Sequence, residues 1–156
     1  MTTLNRNMMT APPAAVIDML NELLDAELGS MFRFMGEGSP YLSRATAEVR
    51  SPLAEMVESG ERRAGELFEL IERLGGTPVA RNVSREEQYL AFLSLRFLLP
   101  KLVQAKKLQI QRHENALRTL GNRSQPPAEL LAAHLAEHKS QLAILERTAA
   151  QVATIR

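Results

Sequence analysis

Cysteine and tryptophan are absent from this chain of 156 residues, and aromatic residues make up 4% of it. Without cysteine there are no disulfides, thiolate metal ligands or cysteine nucleophiles, and a reducing compartment is favoured, so we expect a cytoplasmic protein. No run of about 18 apolar residues is present, and the polar start of the chain does not resemble a secretory signal. We therefore expect a soluble protein.

An excess of charge of either sign is also lacking, because 19 basic and 18 acidic residues give a formal net charge of +1. Such a chain has no strong field to attract nucleic acid or an anionic membrane, and we expect neither partner. Hydrophobic residues make up 45% of the chain. Because few of them are aromatic, Leu, Ala, Met, Ile and Val must fill the core, a mixture that favours helices.

Apolar residues recur at spacings of three and four in four segments, which is typical of helices with one buried face. Start and stop signals bound these segments at Pro12-Pro13, 36–40, Ser51-Pro52, Gly75-Gly76, the capping box 84–87, Gly121-Asn122 and Pro126-Pro127. Pro100 falls inside the third segment, where we expect a kink or a split. The pattern predicts an all-α four-helix bundle in a single domain at 13–156, after a flexible tail at 1–12.

Polar residues interrupt the apolar faces near the middle of the helices. They are Glu27, Arg63, Gln104, Lys106, His134 and His138. A buried charge is costly unless it is paired or bound to metal, so Glu27 requires a partner. Arg63, Lys106, His138 or a cation can serve. We interpret His113 as a surface or hinge residue, and Lys106 with Lys107 and Arg112 as more typical of a solvated face than of a ligand patch.

Helix bundles that bind two irons use a Glu from each of two helices and a Glu-x-x-His pair from each of the other two. Neither pair is present here. The second helix contains no His, and the residues three positions before His134 and His138 are Leu131 and Leu135.

Three segments nevertheless resemble the bacterioferritin branch of the ferritin-like family. They are LNELLDAEL at 20–28, RAGELFELIERLGGTP at 63–78 and HKSQLAIL at 138–145. The resemblance implies a ferritin-like four-helix bundle and places Glu27 and His138 at two metal-ligand positions. It also implies that Glu61 stands where bacterioferritins have the Met that ligates haem, so we expect no haem.

The same resemblance implies that the other metal positions are lost. Gly60 and Arg63 stand where the second helix would supply Glu and His, Leu135 replaces the Glu of the fourth helix, and we place Gln104 at the carboxylate position of the third. Because Arg63 is a fixed cation, it would repel metal, and it can instead pair with Glu27.

Our leading hypothesis is a catalytically silent ferritin-like bundle with no cofactor, which acts through ligand binding or assembly, as a homo-oligomer or mixed with ferritin-like subunits. The alternative is a ferroxidase or other metal oxidoreductase that binds iron or zinc at a reduced or shifted site formed by Glu27, His138 and His134. A third possibility is that Arg63 and Lys106 bind an anionic small molecule inside the bundle.

Overall fold

The computed structural model describes residues 13–30, 32, 50–79, 95–121 and 125–153. These residues form four α-helices, α1 (Pro13–Leu28), α2 (Arg50–Arg73), α3 (Leu95–Leu120) and α4 (Pro126–Ala153). The predicted all-α four-helix architecture is therefore confirmed. None of the described helices is long and apolar enough to cross a membrane. The predicted tail at 1–12, the breakers at 36–40 and the capping box at 84–87 lie outside the described residues.

Glycine ends two of the helices, as the sequence predicts. Gly75 follows α2 with a φ of 84° and Gly121 follows α3 with a φ of 70°, a left-handed conformation that glycine adopts without steric cost. After α2, the amide of Gly76 donates to the carbonyl of Ile71 at 2.9 Å and the amide of Gly75 donates to Glu72 at 3.0 Å. These two bonds form a Schellman motif, which satisfies carbonyls at the helix end.

The kink or split predicted at Pro100 is not evident, because α3 continues through this residue as one helix. Pro100 is only the sixth residue of α3 and it is exposed. Because Pro100 lies on the exposed side of α3, its ring does not disturb the packing of this helix on its neighbours.

Two apolar clusters form the core, and α1 packs mainly on α2 and α3 on α4. The first apolar cluster contains Leu20, Leu23, Leu24, Ala64, Leu67, Leu70, Ile71, Ala116, Leu117, Leu120, Ala128 and Leu131. The second apolar cluster contains Phe32, Leu53, Met56, Leu98, Leu99, Leu102, Val103 and Leu145. Along the chain, α1 and α4 run from the first cluster to the second, whereas α2 and α3 run from the second to the first. Sequential helices α2 and α3 are therefore parallel, and the other sequential pairs are antiparallel.

A layer of buried polar side chains separates the two apolar clusters. This polar layer consists of Glu27, Arg63, Lys106, Gln109, His113, His134, His138 and Gln141. Each helix contributes to it at the point where its sequence passes from one cluster to the other. The layer is consequently held in place by apolar packing on both sides.

Candidate functional site

An ion pair between α1 and α2 forms the centre of the polar layer. Arg63 Nε donates to Glu27 Oε1 at 2.8 Å, and Arg63 Nη2 lies 3.4 Å from Glu27 Oε2. Both side chains are almost completely buried, with 2% and 1% of their surface exposed. A charge-assisted pair of this kind is strong when both charges are removed from water.

His138 on α4 is the second partner of Glu27, with its Nε2 2.9 Å from Glu27 Oε1. Since the carboxylate can only accept, Nε2 carries the proton and Nδ1 holds a lone pair. Burial raises the pKa of Glu27, but the His138 hydrogen bond and the charge of Arg63 outweigh it and lower that pKa to about 2. Glu27 is therefore an anion at neutral pH.

Lys106 on α3 donates to the free lone pair of His138, with 3.1 Å between Nζ and Nδ1. It also donates to Gln141 Oε1 at 2.6 Å, and its Nζ lies 4.5 Å from the centre of the Phe32 ring. Burial and the nearby charge of Arg63 lower the pKa of Lys106 to about 7. Burial likewise lowers the pKa of His138, to about 4, so that this imidazole is neutral at pH 7.

Glu137 connects the buried ion pair to the surface. Its carboxylate accepts from Arg63 Nη1 and from the exposed Arg62, which also pairs with Glu66. Burial raises the pKa of Glu137, but the charge of Arg63 and the hydrogen bond from Arg62 outweigh it and lower that pKa. Arg63 is thus neutralised by two carboxylates.

His113 lies inside the polar layer, so the interpretation of this residue as a surface or hinge residue is wrong. It is 0% exposed, and its Nδ1 lies 2.8 Å from the carbonyl of Gln109. Nδ1 must therefore carry the proton, and Nε2 keeps a lone pair with no hydrogen-bond partner. The sequence does contain a signal for this position, because Lys106, Gln109, His113 and Ala116 follow one another at helical spacing.

His134 is also buried, and neither of its ring nitrogens makes a hydrogen bond. Its Nε2 lies 3.4 Å from Glu66 Oε1. From the sequence we predicted a possible metal site formed by Glu27, His138 and His134. In the structure, the ligand atoms that lie within 4.8 Å of one another belong to Glu27, His113 and His138. The ring centre of His134 is 6.2 Å from that of His113.

Of the two α3 residues predicted to interrupt the inward face, Gln104 is misplaced, whereas Lys106 is buried as predicted. The other interpretation of Lys106, as part of a solvated face, is wrong. Gln104 is exposed and does not belong to the buried layer. Lys106, interpreted with its neighbours as more typical of a solvated face, is 1% exposed, whereas Lys107 and Arg112 are exposed as predicted. Two residues separated by two positions point about 200° apart on a helix, so Gln104 and Lys106 cannot both face the core.

The two other positions named from the resemblance lie close to the layer without adding polar atoms to it. A Cβ on Gly60 would lie 3.6 Å from Glu27 Oε2 and 3.7 Å from Arg63 Nη2, which are ordinary contact distances. Leu135 is partly buried and packs against the first apolar cluster.

A cavity of about 390 Å³ lies between α1 and α2 beside Gly60. Its walls are mainly apolar and include Leu24, Val57 and the half-exposed Phe68, and Glu27 and Glu61 also line it. One side of the ion pair thus borders a space that a small molecule or a partner side chain can enter.

No protein-family model and no curated protein matches the chain. Among solved structures, it is similar to one described as ferritin-like, diiron-carboxylate proteins from Bacillus anthracis str. Ames, with a TM-score of 0.71. The match covers 88% of this chain and 96% of the other at 20% sequence identity. The four-helix bundle is therefore a ferritin-like fold, whereas an identity this low carries no conclusion about activity.

A dinuclear iron centre, which this fold class implies, does not fit the polar layer. Such a centre requires several carboxylates around two cations, whereas Glu27 is the one buried acidic residue within the described ranges. Arg63 places a fixed positive charge in the same space, and the buried Lys106, with a pKa of about 7, adds a partial one at neutral pH. Glu27 already accepts hydrogen bonds from Arg63 and His138, and the positive charge of Arg63 neutralises its carboxylate.

Proposed function

We propose that this chain is a ferritin-like protein of the bacterioferritin type that does not oxidise iron and that acts through assembly or ligand binding. The observation that carries the proposal is the 2.8 Å bond from Arg63 Nε to Glu27 Oε1. Arg63 supplies inside the bundle the positive charge that metal supplies in a di-iron protein. We infer a cytoplasmic location from the absence of cysteine.

The charges of the polar layer support this proposal. Arg63 is a fixed cation that Glu27 and the adjacent Glu137 neutralise, and Lys106, with a pKa of about 7, is partly protonated at neutral pH. Two divalent irons would add four positive charges beside Arg63, where Glu27 is the one buried acidic residue of the described ranges. At an effective dielectric constant of 20, two unit charges 4 Å apart interact by about 4 kcal/mol, so the repulsion would be large.

The outer surface near the cavity supports a role in assembly or ligand binding. Phe68 is 47% exposed beside the cavity, and Leu74, in the turn after α2, is 41% exposed. An exposed aromatic side chain at the edge of a mainly apolar cavity is a place where a ligand or a partner side chain can bind. We propose a homo-oligomer or a mixed assembly with ferritin-like subunits, and native mass spectrometry of the purified protein measures its size.

Anaerobic titration with Fe(II), followed by oxygen, tests the catalytic part of the proposal. We expect no tight binding of two irons per chain, no fast oxidation and no haem in the purified protein. Two irons bound per chain with rapid oxygen-dependent oxidation would contradict it. Circular dichroism during the titration ensures that the protein is folded throughout.

One geometric observation favours a metal oxidoreductase or ferroxidase with a reduced site as a second candidate. Ligand atoms of Glu27, His113 and His138 lie within 4.8 Å of one another, and His113 Nε2 has a free lone pair. A single iron or zinc ion would have to break the bonds that Arg63 and His138 make to Glu27. Loss of bound metal in Glu27→Gln would support this candidate, and unchanged metal content would reject it.

A further inference from the structure

Four buried polar atoms without hydrogen bonds lie on facing parts of α3 and α4. They are Gln109 Oε1, His113 Nε2, His134 Nδ1 and His134 Nε2. Burial of a polar atom without a partner is costly, and atoms of this kind in a native protein usually bind water or an ion. None of these four atoms belongs to the Glu27–Arg63 ion pair.

From these atoms and Glu66 we infer a binding site for one divalent transition-metal ion, formed by Glu66, His113 and His134. Zn²⁺ is taken as the representative ion. Within the described part of the chain, none of the ligands of the inferred site contacts Arg63 or Lys106 through a hydrogen bond. The inferred site does not depend on the proposed function, since its one carboxylate, Glu66, is not part of the Glu27–Arg63 ion pair.

The Glu66–His134 pair already has the spacing of two metal ligands. His134 Nε2 and Glu66 Oε1 are 3.4 Å apart and do not form a hydrogen bond. Two ligands of a tetrahedral zinc ion with bonds of about 2.0–2.1 Å are themselves about 3.4 Å apart. Carboxylate and imidazole are also ligands that zinc accepts together.

His113 has the hydrogen bonding of a metal ligand. Its Nδ1–H donates to the carbonyl of Gln109 at 2.8 Å, and this leaves Nε2 free. Metal-binding histidines almost always donate their other N–H in this way, which fixes the tautomer and the ring. Burial lowers the pKa of both His113 and His134, so that both rings are neutral at pH 7.

The third bond requires His113 to move towards His134, because the ligand atoms of Glu66, His113 and His134 do not all lie within 4.8 Å of one another. The ring centres of the two histidines are 6.2 Å apart, and two imidazoles sharing one zinc ion have centres about 5–6 Å apart. Glu66 is 38% exposed, so an ion can enter from solvent. Arg62, which pairs with Glu66, also pairs with Glu137 and can keep that partner when Glu66 turns to the metal.

Because Nε2 of His113 has one lone pair, it can bind either this ion or an ion held by Glu27 and His138. The two metal sites are therefore alternatives. Electrostatics favour the site at Glu66, since an ion there does not compete with Arg63 for Glu27.

Titration of the metal-stripped full-length protein with Co²⁺ and Zn²⁺ tests the inference. We expect one Co²⁺ per chain with the intense visible absorption of four-coordinate cobalt, displaced by one equivalent of Zn²⁺. Glu66→Gln and His134→Gln should each weaken binding by at least about tenfold, the lower end of what loss of even an outer-shell partner costs. Glu69→Gln, at an exposed carboxylate of the same helix, should bind as the wild type does.

Glu66 is partly exposed, so Glu66→Gln keeps the test interpretable even if His134→Gln fails to fold. Metal binding that is retained in Glu66→Gln but lost in Glu27→Gln would overturn the inference and place the ion at the centre of the layer. Absence of stoichiometric binding by the wild type would also overturn it. Neither result bears on iron oxidation, which the Fe(II) and oxygen experiment measures separately.

Discussion

Arg63 on α2 and Glu27 on α1 form a buried ion pair, with 2.8 Å between Nε and Oε1, at the boundary between two apolar clusters. Both residues have additional partners, since Glu27 also accepts from His138 and Arg63 also donates to Glu137. Each charge is thus satisfied from more than one helix, and the pair holds α1, α2 and α4 in one register.

Removal of one partner from this pair should destabilise the bundle strongly. Arg63→Leu leaves Glu27 buried without its main counter-charge, and loss of one partner of a buried ion pair typically costs about 3–5 kcal/mol. The double variant Glu27→Leu/Arg63→Leu should regain part of that loss, because neither charge then remains unpaired. Urea unfolding of the four proteins of this double-mutant cycle measures the coupling, and additive effects would contradict the ion pair.

Lys106 should make the bundle more stable as the pH rises above 7. Its pKa is lowered from 10.5 to about 7, so between these values the unfolded chain binds a proton that the folded chain does not. Stability therefore rises with pH across this range, by at most about 1.4 kcal/mol per unit. Lys106→Met should abolish the rise, and urea unfolding at pH 7, 8 and 9 measures it. Equal slopes in the two proteins would contradict the assignment.

Acid should destabilise the bundle through His138 and Glu27. The pKa of His138 is lowered from 6.5 to about 4 and that of Glu27 from 4.5 to about 2. The unfolded chain consequently binds protons first, so the contribution of His138 is lost as the pH falls from 6.5 to 4 and that of Glu27 as it falls from 4.5 to 2. Melting temperatures measured across this range should fall continuously, and a flat profile would contradict the burial of both groups.

Much of the fold was predictable from the sequence because its determinants are local. Spacings of three and four define the buried faces, and Gly75 and Gly121 end helices where a left-handed residue is required. The kink at Pro100 was not predicted correctly. Tertiary packing can hold a helix together across a proline, and the pattern within one segment does not show that packing.

Site residues whose inward position follows from the pattern of a single helix were predictable from the sequence. Positions and contacts that depend on packing between helices were not. Glu27, Arg63 and His138 interrupt apolar stripes, so their inward positions follow from periodicity. Gln104 was misplaced because the phase of α3 is set by the continuous face at 106, 109, 113 and 116. The contact between Arg63 and Glu137 joins α2 to α4, and no spacing within one helix predicts it.

Gly76 should tolerate no side chain, whereas Gly65 should accept one. A Cβ on Gly76 would lie 2.7 Å from Ile17 Cγ2 and would force α1 away from the turn after α2. Gly76→Ala should therefore destabilise the protein by about 1–3 kcal/mol. Gly65→Ala meets nothing within 4 Å and should stabilise the interior of α2 by about 0.5–1 kcal/mol. Thermal unfolding compares the two variants, and equal effects would contradict the close contact with Ile17.

Replacement of the protein cations by metal ligands should convert the polar layer into an iron site. The variant carries Gly60→Glu, Arg63→His, Lys106→Glu and Leu135→Glu, which add three carboxylates and one imidazole and remove the fixed charge of Arg63 and the titratable amine of Lys106. Space exists at Gly60, where a Cβ makes ordinary contacts, and Lys106 Nζ already reaches within 3.1 Å of His138. We expect binding of two Fe(II) per chain and a higher melting temperature when the metal is present, because ligand binding stabilises the folded state.

The matched control is the same variant with Arg63 retained. It should bind iron weakly because the Arg63 guanidinium still forms its ion pair with Glu27. Iron content and the metal-dependent shift in melting temperature should therefore separate the two proteins. If both bound two irons with similar affinity, the positive charge of Arg63 would not be what excludes metal, and the proposal that this residue takes the place of the metal would be wrong.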